Sequence, residues 1–213
     1  MKNSKKYKTI VWDWNGTLLN DVEVGHRTLN RMLEKRNMKT MTLQQYKDWF
    51  GFPVEDFYKV VGFDMTKESM HELSVDFVDT YEEFAGGMAL TPGVAEVLED
   101  VQKAGVQQYI LSALREDLLQ QMIVDFNIKK CFEQACGSDN IYAAGKVERG
   151  RRMVELYGIK PEETLMVGDT THDAEVAKAL GFDCMLYSGG HNSEWRLKEV
   201  APVISEMEQL LTL

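Results

Sequence analysis

Asp13 stands where an apolar run ends and a tight polar turn begins. The surrounding stretch reads IVWDWNGTLLND over residues 10–21. A carboxylate at the tip of a buried strand, followed by a Gly-Thr turn, is an arrangement suited to chemistry. The next polar side chain, Asn15, is an amide and cannot carry a proton to a substrate. Any reaction centred on Asp13 therefore lacks an acid two residues later.

Further polar residues follow other apolar runs of the chain. Ser112 follows the letters YIL, Asp169 and Asp173 follow LMV, and Lys146 lies in AAGKVERGRR at a predicted helix start. Taken singly, such residues are usually helix caps or solvated side chains. Taken together they indicate a site, because the strands of a parallel sheet end at one edge, where ligands bind.

The elements that must carry these residues alternate between strand and helix. Apolar runs typical of buried strands occupy residues 8–12, 106–113, 164–169 and 182–188, and helical patterns separate the later ones. Strands separated by helices of this length imply right-handed βαβ crossovers and a parallel sheet. The sequence therefore predicts an open α/β sheet.

A long insertion after the first strand has a different pattern. It contains no convincing strand and reads as helices at 21–36, 42–50 and 66–85, with a further helix after the turn that begins GFP. Gly86-Gly87 is a plausible hinge at its end. We therefore predict an all-helical insertion over 20–87 and a core formed by 1–19 and 88–213.

Composition and charge exclude several functional classes. The net charge is −10, which opposes binding to nucleic acid or to a membrane surface. No apolar stretch approaches the ~20 residues of a membrane span, and the N-terminus lacks the apolar core of a signal peptide. Cys131, Cys136 and Cys184 form no CxxC pair and are expected to be reduced. We expect a cytoplasmic protein, either monomer or dimer.

Four motifs of the chain resemble those of a known family. VWDWNGT, ILSA, GK and VGDTTHD, in this order, are similar to the motifs of the haloacid dehalogenase superfamily. The whole chain resembles the phosphoglycolate phosphatase-like branch, which has a helical cap. The resemblance implies a Rossmann-like core, a cap over 20–87, a Mg²⁺ cofactor and hydrolysis of a small phosphorylated substrate through an aspartyl-phosphate intermediate. The family pattern has Asp where this chain has Asn15.

The resemblance also implies roles for individual residues. Asp13 would be the nucleophile, and Lys146 would offset charge on the nucleophile and the phosphate. The implied catalytic residues are Asp13, Asn15, Ser112 and Lys146, and the implied metal ligands are Asp13, Asn15 through its backbone carbonyl, Asp169 and Asp173. The implied substrate contacts are Gly16, Thr17, Ser112, Ala113 and Lys146 in the core, with Lys47 and Phe52 from the cap.

Three alternatives are left open by the same residues. Phosphonoacetaldehyde hydrolases of this superfamily also lack the acid at the position of Asn15 and cleave a carbon–phosphorus bond with a cap lysine, for which Lys47 and Lys59 are candidates. A dehalogenase is less expected, because the two Asp residues of GDTTHD suit a metal. A binding or regulatory protein that retains the fold without full activity is the third. The sequence does not specify the substrate, since the cap selects it.

Overall fold

A computed structural model describes residues 7–139, 141–142 and 145–212. Eight strands lie within these residues: β1 (Thr9–Trp12), β2 (Leu19–Asn20), β3 (Ala89–Leu90), β4 (Gln107–Arg115), β5 (Gln134–Ser138), β6 (Thr164–Gly168), β7 (Asp183–Tyr187) and β8 (Val203–Ile204). Six of them form one sheet in the order β5-β4-β1-β6-β7-β8, and every neighbouring pair is parallel. β1, which carries Asp13 at its end, is therefore a central strand.

Helices connect these strands and form the insertion. Within the same residues they are α1 (Val22–Lys35), α2 (Leu43–Trp49), α3 (Val54–Val61), α4 (Met70–Phe84), α5 (Val94–Lys103), α6 (Glu116–Asp125), α7 (Lys146–Tyr157), α8 (Thr171–Leu180) and α9 (Glu194–Lys198). Short 3₁₀ segments occupy Lys129–Cys131, Pro161–Glu163 and Met207–Thr212. The connections between parallel strands are thus the helical crossovers that the sequence pattern predicts.

Both faces of the sheet are buried, which explains the continuous apolar run of β1. Ile10 and Trp12 point into a hydrophobic cluster with α5 and α6, whereas Val11 points into a second cluster with α7 and α8. Successive side chains of a strand face opposite sides, so a strand covered on both sides is mostly apolar.

The helical insertion has a hydrophobic cluster of its own. Buried residues of α1, α3 and α4, among them Met32, Phe57 and Leu73, form its centre. The short strands β2 and β3 pair antiparallel, with Leu19 opposite Leu90, so the chain leaves and re-enters the core at adjacent points. This pairing seats the α1–α4 unit beside the carboxyl end of β1.

The predicted fold class is confirmed, and the differences lie at weak strands. β5 reads QACGS, which lacks both an apolar run and a clear alternation, and its residues were not predicted as a strand. β5 forms because it lies at the sheet edge against β4, where a backbone ladder needs few apolar side chains. Within the described residues, no helix combines the length and the apolar character needed to cross a lipid bilayer.

Candidate active site

The carboxyl end of β1 places Asp13 against α7. The Asp13 backbone N–H donates to the carbonyl of Val167, 2.8 Å away, which continues the β1–β6 ladder. Lys146 is the first residue of α7, and its Nζ lies 2.5 Å from Asp13 Oδ1 and 2.7 Å from Asp173 Oδ1. Lys146 is only 4% exposed, so one buried ammonium joins two buried carboxylates.

Asp169 lies directly after β6 and is held from two other strand ends. Thr17, after β1, donates its hydroxyl to Oδ1 at 2.9 Å, and the backbone N–H of His191, after β7, donates to Oδ2 at 2.6 Å. Side chains at Gly16 or Gly190 would collide with this carboxylate, and Gly16 also has a φ of +73°. The glycines of both loops are therefore required for close approach to Asp169.

Asp173 belongs to the first turn of α8 and has a structural task besides its contact with Lys146. Thr170 caps α8 by accepting from the Asp173 backbone N–H, while Asp173 Oδ2 accepts from the Thr170 backbone N–H at 3.0 Å. This capping box satisfies the helix start and fixes the side chain. The second carboxylate oxygen is thus presented to Lys146.

Asp13, Asp169 and Asp173 form a buried acidic cluster. Each offers a carboxylate oxygen within 4.8 Å of the others. Burial raises the pKa of Asp13 to about 6 and raises the pKa of Asp169 well above its ordinary value. Burial also opposes ionisation of Asp173, but attraction to Lys146 together with the hydrogen bonds from Lys146 and Thr170 outweighs burial, and the pKa of Asp173 is lowered.

The charge balance of this cluster fits a divalent cation. Burial would lower the pKa of Lys146, but the charges of Asp13 and Asp173 outweigh it, so the pKa is raised and the group stays an ammonium. One ammonium cannot balance three ionised carboxylates. Carboxylate oxygens are the ligands that hard divalent cations prefer, and such a cation would offset the remaining negative charge.

A second buried network surrounds Asn15 and centres on Asp21. Asn15 Nδ2 donates to Asp21 Oδ2 at 2.8 Å, and Tyr81, from α4, donates to the same oxygen at 2.7 Å. Asp21 Oδ1 accepts from the Gly16 backbone N–H at 2.7 Å and from His191 Nε2 at 3.3 Å. The loops after β1 and β7 and the last helix of the insertion are thereby joined.

The charge state of this network is set by one ion pair. Burial lowers the pKa of His191, but the Asp21 carboxylate raises it to about 9, so the ring is protonated at neutral pH. Burial raises the pKa of Asp21, but His191 and the hydrogen bonds from Asn15 and Tyr81 outweigh it and the pKa is lowered. The Asn15 amide therefore donates to a permanent carboxylate.

A cavity of about 440 Å³ opens beside Asp13, between the sheet edge and the helical insertion. Asp13, Asn15, Ala113 and Lys146 line its base, and Phe52 lines its side. These predicted site residues therefore line one cavity, together with Asp173.

Other residues implied by the resemblance lie apart from this cavity or behind its wall. Ser112 is fully buried, and its Oγ accepts from the Leu114 backbone N–H at 3.0 Å. Lys47 Nζ donates to the carbonyl of Ser188 at 3.2 Å, and Lys47 lines a separate surface hollow near Trp195. The structure does not bring Lys47 to the main cavity, and its predicted role in substrate binding stays a prediction.

Sequence reasoning missed Asp21, Tyr81 and His191. A signal existed for His191, because it follows Gly189-Gly190 directly after the last long strand, at the same sheet edge as Asp13. Tyr81 carried no signal, since it lies within an ordinary helical pattern.

A parallel sheet that gathers three carboxylates and a lysine at its carboxyl edge defines an α/β enzyme with an acidic active site. The sequence model of the haloacid dehalogenase-like hydrolase family matches residues 10–187. The chain therefore belongs to this family, and the predicted resemblance is confirmed.

Known relatives of the chain are phosphatases. Phosphoglycolate phosphatase of Pseudomonas syringae pv. tomato is 25% identical in an alignment that covers 96% of this chain and 78% of that protein. Phosphoglycolate phosphatase 1 of Pseudomonas aeruginosa is 22% identical with the same coverage. The solved structure of a haloacid dehalogenase-like hydrolase from Streptococcus pneumoniae shares the fold, with a TM-score of 0.81 at 20% identity over 97% of each chain.

Proposed function

We propose that this chain is a Mg²⁺-dependent phosphatase that hydrolyses a small phosphorylated metabolite through an aspartyl-phosphate intermediate. The observation that carries the proposal is the buried cluster in which Lys146 bridges Asp13 and Asp173, with Asp169 within 4.8 Å. A phosphomonoester dianion repels a carboxylate, so attack on it requires positive charge at the site. The names of the curated relatives support the same reaction class.

Mg²⁺ suits the oxygen donors present. The carboxylates of Asp13, Asp169 and Asp173, with the backbone carbonyl of Asn15, would hold it. When bound, it supplies positive charge that stabilises the phosphoryl oxygens during transfer.

The remaining chemistry belongs to the chain. A carboxylate oxygen of Asp13 forms a bond to phosphorus as the ester P–O bond breaks, and the electron pair leaves with the substrate oxygen, which takes a proton from water. Lys146 offsets charge on the nucleophile and the phosphoryl group, while the Ala113 backbone N–H holds a phosphoryl oxygen; the predicted contact from the fully buried Ser112 stays a prediction. Water then attacks the phosphorus of the aspartyl phosphate, which releases inorganic phosphate and restores Asp13.

Asn15 affects proton transfer in both steps, the formation and the hydrolysis of the aspartyl phosphate. Its amide holds a hydrogen bond to Asp21 and cannot protonate a leaving alkoxide or activate the hydrolytic water. We therefore infer a slow phosphatase on alkyl phosphates. Esters with good leaving groups depend less on this proton, so Asn at position 15 should slow their hydrolysis less.

The helical insertion, residues 20–87, would act as the cap that excludes water and contacts the rest of the substrate. Phe52 and Tyr81 both reach the cavity from this segment. Phosphoglycolate, the substrate named for the curated relatives, is one ester to include in the test.

The test is phosphate release from acetyl phosphate and a panel of metabolite phosphoesters, with and without Mg²⁺. We expect turnover that chelation abolishes and that Asp13→Asn removes. Asp125→Asn, an exposed change on α6, is the matched control and retains turnover. Undiminished hydrolysis by folded Asp13→Asn, free of contaminating phosphatase, contradicts the nucleophile assignment.

A further inference from the structure

Most of the polar side chains that line the cavity beside Asp13 belong to the catalytic cluster and the Asp21 network, with Ser74, Glu82, Arg115 and Tyr142 as others. Away from the base of the cavity, its walls are mostly apolar side chains from both the insertion and the core. Those that carry the argument are Phe52, Phe77 and Met88 on one side and Leu114, Leu118 and Met122 on the other. Its volume of about 440 Å³ lies within the range of small-molecule sites.

These side chains are only partly covered within the chain. None of the six belongs to the fully buried core, so each presents apolar surface to the cavity. Water in contact with such surface is unfavourable, and an apolar ligand group that replaces it gains free energy roughly in proportion to the area covered.

The cationic side chains that line the cavity already have carboxylate partners, as far as the described residues extend. Lys146 pairs with Asp13 and Asp173, and His191 pairs with Asp21. Arg115 forms a two-point pair with Asp117, at 2.6 and 3.0 Å.

This charge pattern disfavours a second anionic group on the substrate. The phosphoryl group has Lys146 and the proposed Mg²⁺ at the base of the cavity. A carboxylate farther along the substrate would exchange water for apolar walls without a free cation to receive it, which is costly for an ionised group. Phosphoglycolate also has a carboxylate, but close to its phosphoryl group, so the effect of charge at the apolar walls is tested with a longer ester.

We propose that the substrate is a phosphate monoester of an uncharged, largely apolar alcohol or phenol, whose carbon skeleton fills this cavity. The proposal rests on the proposed phosphatase function and specifies its leaving group. The phosphoryl group would bind at Asp13 and Lys146, with the carbon chain directed toward Phe77 and Leu118.

The test compares Mg²⁺-dependent hydrolysis of n-alkyl phosphates from ethyl to octyl with that of phosphoglycolate. We expect kcat/KM to rise roughly fourfold per methylene until the cavity is filled, in keeping with the ~0.8 kcal/mol gained by burying one methylene. A matched pair of esters isolates the effect of charge. The kcat/KM for hexyl phosphate should exceed that for the phosphate ester of 6-hydroxyhexanoate, which keeps a free carboxylate, by at least roughly tenfold. A flat series, or a preference for the carboxylated ester, overturns the proposal.

Variants of α6 test the location. Leu118→Lys places a cation in the cavity wall and should lower the preference for hexyl phosphate over its carboxylated partner by at least roughly tenfold. Val124→Lys, on the same helix but exposed, should leave that ratio unchanged. An equal effect of the two variants, or none, contradicts the assignment of this cavity. If Leu118→Lys does not fold, the wild-type ester series decides alone.

A binding measurement separates this proposal from the phosphatase function on which it rests. Calorimetry with hexylphosphonate and methylphosphonate, neither of which can be hydrolysed as an ester, reports the cavity without turnover. One result would contradict only the apolar substrate and leave the phosphatase function standing. In that case acetyl phosphate is hydrolysed, kcat/KM does not change along the alkyl series, and the two phosphonates bind with equal affinity. A different result would contradict the phosphatase function while supporting an apolar phosphorylated ligand. In that case no ester is hydrolysed, and hexylphosphonate binds at least roughly tenfold more tightly than methylphosphonate.

Discussion

The Asn15 amide nitrogen donates a 2.8 Å hydrogen bond to the carboxylate of Asp21, six residues along the chain. Asp21 is buried and is also bound by Tyr81 and by His191. An amide fits this position because it donates to a carboxylate that stays ionised. A carboxyl group at position 15 would instead face a second carboxylate. We therefore expect that the residue proposed to limit proton transfer also stabilises the surrounding loop.

Asn15→Asp should therefore raise activity and lower stability at once. We expect alkyl phosphate turnover to increase by at least roughly tenfold, toward the lower end of the gain typical of positioned acid–base catalysis. The free energy of unfolding should fall by about 1–3 kcal/mol, because a buried acceptor loses its donor. The measurements are phosphate release from alkyl and aryl phosphates and urea denaturation.

Freshly prepared protein is needed for this comparison, with Asn15 shown intact by mass spectrometry, because the Asn15-Gly16 pair is prone to deamidation. Asn20→Asp, an exposed change in the same segment, is the control and should leave both quantities unchanged. Alkyl phosphate turnover that is equal or lower in Asn15→Asp would show that another group supplies the proton.

Lys146→Met tests the ammonium between the two carboxylates. We expect turnover to fall by roughly 10²–10³, the usual loss when one electrostatic stabiliser of a transition state is removed. The variant should also unfold at lower denaturant concentration, because Asp13 and Asp173 lose their buried partner. Lys178→Met, exposed on α8, serves as the control. Retention of more than half of the turnover by Lys146→Met would remove this residue from the mechanism.

Schiff-base chemistry by a cap lysine is expected to be absent. Lys59 forms ion pairs with Glu55 and Asp56 on the outer surface of α3, and Lys47 contacts the carbonyl of Ser188 outside the main cavity. Neither ammonium lies where a carbonyl substrate at Asp13 would meet it. Borohydride added with phosphonoacetaldehyde should therefore leave the protein mass unchanged. A substrate-dependent adduct on Lys47 or Lys59 would favour carbon–phosphorus cleavage instead.

Asp76 should make the stability of the helical insertion pH-dependent. It accepts from Lys35 at 2.6 Å and from Arg36 at 2.8 Å. Burial raises the pKa of Asp76, but these cations outweigh it and the pKa is lowered from 3.8. The stabilisation is therefore complete above pH 3.8 and is lost as the pH falls through the lower folded-state pKa.

Asp76→Asn should lower the free energy of unfolding by about 1–3 kcal/mol at pH 7, with a smaller difference from the wild type at low pH. Urea denaturation at both pH values measures this difference. Asp79→Asn, exposed on the same helix, is the matched control. An equal deficit at both pH values would mean that Asp76 does not act through its charge.

Most of the acidic cluster and its lysine could be predicted from the sequence. Asp13, Lys146, Asp169 and Asp173 come into contact because each stands after a predicted strand or at a helix start, and parallel strands end at one edge. The same periodicity predicted the α/β fold, since strands buried on both faces are continuously apolar. β5 was not predictable, because an edge strand is stabilised by its ladder with β4 more than by its side chains.

The Asp21 network and the apolar cavity were decided only by the tertiary structure. Asp21 and His191 lie 170 residues apart, and Tyr81 comes from a helix whose pattern is that of any packed helix. Phe77 and Leu118 read as ordinary core residues, because periodicity marks an apolar face without stating whether protein or ligand will cover it. By itself the sequence determined which groups meet at the end of β1. Only the position of the insertion over that edge determined the space beside them, because that space depends on contacts between segments far apart in the chain.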